Sequence, residues 1–271
     1  MRISHILESG VLPSMELEVM LAELLHKDRS FVIAHPEYVL TKDQEAKIEE
    51  WGRRRLDHEP LAYITERKEF YGREFTIDKR ALIPRPSTEG LIEVTLQFLE
   101  YPLEQVVEVD SGIAVCALPL KPEQPHMIVD MGTGSGCIAV TLACEIPDMK
   151  FLATDMSKQA LNLGAINAMN HGVEKRITFQ HGDLLEPAQT IDVPFLVVSN
   201  PPYIPVREEL MPDVVNFEPK SALFAGEDGM EVIRPLLLQA KAHPMCVGVI
   251  LECRMDQVED VKRILSQNEV Q

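Results

Sequence analysis

The chain has 271 residues, 45% of them hydrophobic and 25% charged, with 26 Lys and Arg against 43 Asp and Glu for a formal charge of −17. This is the composition of a globular protein long enough to bury a core in one large or two ordinary domains, which excludes the disordered and fibrous classes. The acid excess argues against a general affinity for nucleic-acid phosphates, which are met by clustered Lys and Arg.

Met1 to Gly10 carries acids and no long apolar core, so it reads as neither a signal nor a transit peptide. Leu12-Pro13-Ser14 gives a turn and a cap, and Leu17, Met20, Leu21, Leu24 and Leu25 then form the apolar stripe of a helix over Met15 to His26. Thr41 followed by Gln44 has the spacing of a capping box, opening a helix through Ile48 and Trp51 to Leu56. The Arg53–Arg55 run reads as a solvated face of that helix. Phe70, Phe75, Ile77 and Leu82 around Gly72 indicate a short β-hairpin linker, and Ile83-Pro84-Arg85-Pro86 is stiff and extended. Ser87 or Thr88 then caps a helix to about Leu99. Val106 to Leu118, around an Asp110-Ser111-Gly112 turn, reads as an extra hairpin without chemistry of its own.

After Met127 strands and helices alternate, which implies a parallel sheet covered by helices on both faces. The strands are expected at Met127–Met131, Lys150–Thr154, Ile177–Gln180, Phe195–Ser199 and Val247–Glu252, with helices notably at Cys137–Glu145, Ser157–Asn170 and Met230–His243. No apolar run reaches the roughly 18 residues that span a bilayer. Five cysteines without a Cys-x-x-Cys pair point to free thiols in a reducing compartment, the cytoplasm by default. No histidine pair has metal-ligand spacing, and Cys137 and Cys144 on one helix read as core. No metal is expected.

Four motifs fall at the carboxyl ends of the predicted strands, where ligands of open parallel sheets bind. Gly132-Thr133-Gly134-Ser135-Gly136 is a strand-to-helix glycine loop, one residue short of the dinucleotide spacing and without a Lys-Ser/Thr ending for a triphosphate. It suits a nucleoside ligand such as S-adenosylmethionine (SAM). Asp155, 19 residues beyond Gly136, ends the next strand and is placed to accept bonds from ribose hydroxyls. Asp183 and Leu184 follow the third strand, where an acid and an apolar side chain would meet an adenine edge and face. The fourth motif, Asn200-Pro201-Pro202-Tyr203, decides the chemistry. Its prolines remove two amide donors, so the Asn200 side-chain oxygen and the Pro201 carbonyl are acceptors for an –NH2 on a flat, conjugated group, on which Tyr203 stacks. Such a nitrogen is a poor nucleophile, and two acceptors that orient it and stabilise its developing charge promote its methylation.

Together these residues resemble the HemK/PrmC family, SAM-dependent methyltransferases that modify the N5 nitrogen of the glutamine in the Gly-Gly-Gln motif of peptide chain release factors. Leu17–Leu25, Ala34-His35-Pro36-Glu37 and Glu59-Pro60-Leu61-Ala62-Tyr63-Ile64 are similar to its helical N-terminal domain. Glu69-Phe70-Tyr71-Gly72, Leu82-Ile83-Pro84-Arg85-Pro86 and Thr88-Glu89 are similar to its connecting segment. The resemblance implies an α/β fold: a Rossmann-like SAM-dependent methyltransferase sheet over 87–271, preceded by a helical substrate-recognition domain over 1–62 and a hairpin and extended linker over 63–86. It implies that Gly132 to Gly136, Asp155, Asp183, Leu184 and Asn200 hold SAM, that Asn200, Pro201, Pro202 and Tyr203 grip the glutamine amide, and that Asn200, Pro201 and Tyr203 are catalytic. A class 1 release factor is the implied partner, with no DNA, membrane or metal.

Ser87 stands where the family usually has an acid, and the 101–126 segment is longer than usual. The family also continues beyond the helix Gln257–Gln267 into a final pair of strands, for which this sequence offers no counterpart. Either the sequence is incomplete or another element covers the sheet edge beside the site, and the 106–118 hairpin is not expected to do so. Two alternatives follow: a DNA adenine or cytosine amino-methyltransferase, which shares Asn-Pro-Pro-Tyr, and a SAM-binding protein made inactive by the shortened end. Charge weighs against the first: residues 1–80 sum to −3 and residues 81–271 to −14, with no basic face for a duplex.

Overall fold

In a computed structural model, residues 1–266 are described. The elements run α1 (Ile3–Leu7), α2 (Ser14–Leu25), α3 (Arg29–Ala34), α4 (Lys42–Leu56), α5 (Leu61–Thr65), β1 (Arg67–Phe70), β2 (Arg73–Thr76), α6 (Glu89–Glu100), β3 (Gln105–Asp110), β4 (Ile113–Pro119) and β5 (Met127–Met131). They continue with α7 (Cys137–Glu145), β6 (Lys150–Asp155), α8 (Lys158–Asn170), β7 (Ile177–His181), β8 (Phe195–Ser199), α9 (Pro212–Phe217), α10 (Ile233–Ala242), β9 (Cys246–Arg254) and α11 (Val258–Ser266). The chain divides into two compact units, Met1–Arg67 with Leu210–Phe217, and Lys68–Glu209 with Glu218 onward.

The first unit is helical around one apolar cluster in which Leu17, Met20 and Leu21 of α2 meet Ile3, Val32, Ile48, Trp51 and Ile64. The expected capping box is present: Gln44 N donates to Thr41 Oγ1 at 3.2 Å and Thr41 N to Gln44 Oε1 at 2.9 Å. Ser14 is not a cap. Pro13 holds that position with a preset φ of −54°, and Ser14 is the first helical residue. The Arg53–Arg55 run is not simply solvated either. Arg54 makes a two-pronged bond to Glu59 (2.8 and 2.7 Å) and Arg55 another to Glu16 (2.8 and 3.0 Å), so only Arg53 is fully exposed. The fork of a guanidinium matches a carboxylate, and a half-buried pair of this geometry ties α4 to α2.

The second unit contains the β1–β2 hairpin and a seven-stranded sheet in the order β3-β4-β9-β8-β5-β6-β7. Strands β5 to β9 are mutually parallel, whereas β4 runs antiparallel to β9, with Ile113 opposite Arg254 and Pro119 opposite Gly248. This corrects the expectation that the 106–118 hairpin does not cover the edge. The hairpin from 105 to 119 occupies the flank of β9, the position at which the resemblance placed the final strand pair. Ala114, Val115, Cys116, Ala117 and Leu118 are buried like a central strand, while β3 forms the half-exposed outer edge. An apolar run of this kind is stable only when both faces are covered, and each buried Val or Leu contributes about 1.5–3 kcal/mol. On one face, Ile233, Leu236 and Leu237 of α10 and Val258 and Val261 of α11 pack over Val129, Val197, Val249 and Leu251.

Candidate active site

Five strands deliver their carboxyl ends to one side of this sheet. Leaving β5, Gly132 N and Thr133 N both donate to Thr154 O at 2.9 Å, which folds the glycine loop against the end of β6. Gly136 opens α7 at φ +80°, and a Cβ there would lie 3.0 Å from Gly164 Cα in α8, so only glycine fits. Gly132, in contrast, faces open space, with nothing within 4 Å of a Cβ built there. The loop is thus a backbone shelf that a ligand can approach closely.

Beneath the shelf lies Asp130, wholly buried, whose Oδ2 accepts Thr133 Oγ1 at 2.6 Å and Ala139 N at 3.1 Å. Burial pushes its carboxyl up to about 7, against the pull of those two bonds, and among the described residues its Oδ1 has no partner. Asp155 ends β6 half-buried. Its Oδ2 accepts Gly134 N at 2.9 Å and its Oδ1 accepts Ser157 N at 2.8 Å. Each oxygen retains a lone pair, so the carboxylate is oriented by the backbone without being saturated. Asp183 is exposed, and Leu184 is half-buried in the left-handed region (φ +47°), packed partly against the sheet's core.

Asn200 follows β8. Its Nδ2 donates to Thr88 Oγ1 at 2.9 Å, and among the described residues no donor is bonded to its Oδ1 or to the Pro201 carbonyl. Thr88 is therefore not a helix cap; the helix starts through a 3₁₀ turn, Pro86–Thr88, without a side-chain cap bond. The Tyr203 hydroxyl donates to Glu252 Oε1 at 2.9 Å, and burial with the adjacent carboxylate raises its pKa far above the ordinary phenol range. The Tyr203 carbonyl accepts Gln257 Nε2 at 3.0 Å, and Gly229 lies so close that a Cβ would sit 2.2 Å from that oxygen. Glu218, also buried, accepts Ile83 N at 3.0 Å and Arg85 at 2.5 Å, pinning the Ile83–Pro86 segment. The arrangement presents two free acceptors beside an aromatic ring and a backbone shelf, which suits an –NH2 next to a nucleoside-bearing ligand.

Comparison with known proteins shows the family. The profile of the PrmC N-terminal domain matches residues 2–65 and that of the methyltransferase small domain matches residues 106–216. A release factor glutamine methyltransferase of Koribacter versatilis is 39% identical over 237 residues, covering 85% of this chain and 75% of the relative. The chain belongs to the release factor glutamine methyltransferase family. Its Coxiella burnetii member is 33% identical over 93% of this chain and 83% of its own length. The bifunctional methyltransferase of Rickettsia bellii is 35% identical over 93% of this chain but only 47% of its own length, so the chain spans about half of the bifunctional relatives it matches. Thr88, Gly229, Glu252 and Gln257 touch Asn200 or Tyr203 without belonging to any of the four motifs. A carboxylate ending the apolar run Val-Gly-Val-Ile-Leu-Glu was the one signal that could have pointed to Glu252. Thr88, Gly229 and Gln257 carry no such mark, because their partners lie 112, 26 and 54 residues away.

Proposed function

We propose that this chain transfers a methyl group from SAM to the side-chain amide nitrogen of the glutamine in the Gly-Gly-Gln motif of a class 1 peptide chain release factor. Family membership supports the reaction class. The observation that carries the reading is Asn200, whose Nδ2 is turned onto Thr88 so that Oδ1 is left, with the Pro201 carbonyl, as an acceptor. Residues Gly132 to Gly136 would hold the cofactor along the backbone shelf, Asp155 its ribose, and Asp183 and Leu184 its adenine. When bound, SAM supplies an electrophilic methyl group on a sulfonium.

The chain's own residues then have three tasks. Asn200 Oδ1 and the Pro201 carbonyl accept the two amide hydrogens and aim the nitrogen lone pair at the methyl carbon. The same acceptors stabilise positive charge on nitrogen as the N–C bond forms and the C–S bond breaks. One amide proton then leaves to solvent, which gives the N-methylamide. Tyr203 and Pro202 hold the amide plane. We assign substrate recognition to residues 1–62, the linker to 63–86 and methyl transfer to residues 87–271. Incubation with SAM labelled in its methyl group and a bacterial release factor tests this reading. Label should enter the factor, and should vanish both when the motif glutamine is replaced by alanine and when Asn200 is. Label that survives the glutamine replacement would overturn it.

A further inference from the structure

Glu252 is 0% exposed at the carboxyl end of β9, directly beside the Asn-Pro-Pro-Tyr segment, and among the described residues its Oε2 has no hydrogen-bond partner. A fully buried, half-satisfied carboxylate is costly, so its surroundings should explain it. They consist of donors. Tyr203 Oη bonds Oε1 at 2.9 Å; the Thr88 hydroxyl, 2% exposed, and the Asn200 amide lie close enough to favour the ionised form, as does the charge of Arg85. Burial nevertheless dominates and raises the carboxyl above its ordinary value. Thr88 sits at the centre: its oxygen accepts Asn200 Nδ2 at 2.9 Å, which leaves its own proton free for another acceptor.

We propose that Glu252 is a positioning residue that sets the hydrogen-bond polarity of the site, drawing the donors of Tyr203, Thr88 and Asn200 inward so that only acceptors face the substrate. The proposal rests on the function assigned above. In the proposed arrangement the carboxyl group draws the Thr88 proton, Thr88 accepts from Asn200 Nδ2, and Asn200 Oδ1 is therefore the outward atom. A wrongly flipped Asn200 would offer N–H groups to a substrate that itself brings N–H groups, and neither the amide nor its charged transition state would be held. The acceptor at the floor of the site prevents that flip without touching the substrate.

Glu252→Gln tests this, because it keeps the shape but supplies a donor where the chain of bonds needs an acceptor. We expect kcat on the release factor to fall about 10- to 100-fold, the cost of a lost bond to a buried charge, with KM for SAM changed less than twofold. Thr88→Val should reproduce that loss and Thr88→Ser should restore most of it, which also covers the case of a poorly folding Glu252→Gln. In ¹⁵N-correlated NMR spectra, the Asn200 side-chain amide signals should move in Glu252→Gln and Thr88→Val but not in Thr88→Ser. A Glu252→Gln or Thr88→Val enzyme with kcat within twofold of the parent, or Asn200 signals that do not move in those variants, would overturn the proposal. If the parent protein fails to label the release factor, the functional reading fails, and the Asn200 signals still decide the role of Glu252.

Discussion

Asp130 shows what a single residue contributes when its environment overrides its ordinary chemistry. Its carboxyl is pushed up to about 7 in the folded protein, above the unfolded value, so the fold gains from the neutral form. The associated stability is fully present below the unfolded pKa of about 3.9 and is lost as pH rises toward 7. The stability advantage of the parent over Asp130→Asn, measured by urea denaturation, should therefore shrink between pH 5 and pH 7 by on the order of 1 kcal/mol per pH unit. A constant difference would contradict this assignment. Gly229 is the complementary case, fixed by space. With φ at +73° and the Tyr203 carbonyl 2.2 Å from a built Cβ, Gly229→Ala must displace the tyrosine backbone. A loss of about 1–3 kcal/mol in unfolding free energy is expected, together with a fall in methyl transfer. Full activity in that variant would show that the Tyr203 backbone position is immaterial.

At the scale of elements, β4 decides whether the sheet is complete. It was legible in the sequence as half of a hairpin, because Ile113 to Leu118 is β-prone and follows a Ser-Gly turn. Where it docks was not legible. Periodicity reports burial but names no partner, and the 137 residues between Cys116 and Cys253, whose sulfurs approach to 3.8 Å, carry no pattern linking them. The parallel strands were readable for the opposite reason: each is an apolar run bounded by turn residues, and β5 and β8 begin and end where the sequence places them. Hydrogen exchange tests the docking. The amides of Ala114 to Leu118 should be protected as strongly as those of β8. Exchange of the β4 amides at the rate of exposed loops would contradict an interior strand.

For the whole molecule, the uneven charge separates two proposed uses of the Asn-Pro-Pro-Tyr motif. Residues 81–271 carry 27 acids against 13 bases, and among the described residues no helix is long and apolar enough to cross a membrane. Duplex DNA should not bind measurably at physiological salt in an electrophoretic shift assay, since phosphate contacts need clustered cations; a stable shifted complex would contradict that expectation. That Pro201 and Pro202 offer carbonyls without amide donors is legible in the sequence, because prolines fix both what the backbone offers and what it lacks. The bonds that hold Asn200 and Tyr203 did not follow, because their partners Thr88, Glu252 and Gln257 lie on three distant segments. The most direct measurement of the central claim is peptide mass spectrometry of a release factor treated with this protein and SAM. One methyl group is predicted, about 14 Da in mass, on the side-chain nitrogen of the Gly-Gly-Gln glutamine, and none with Asn200→Ala. Methylation at another residue, or equal methylation by Asn200→Ala, would contradict the account.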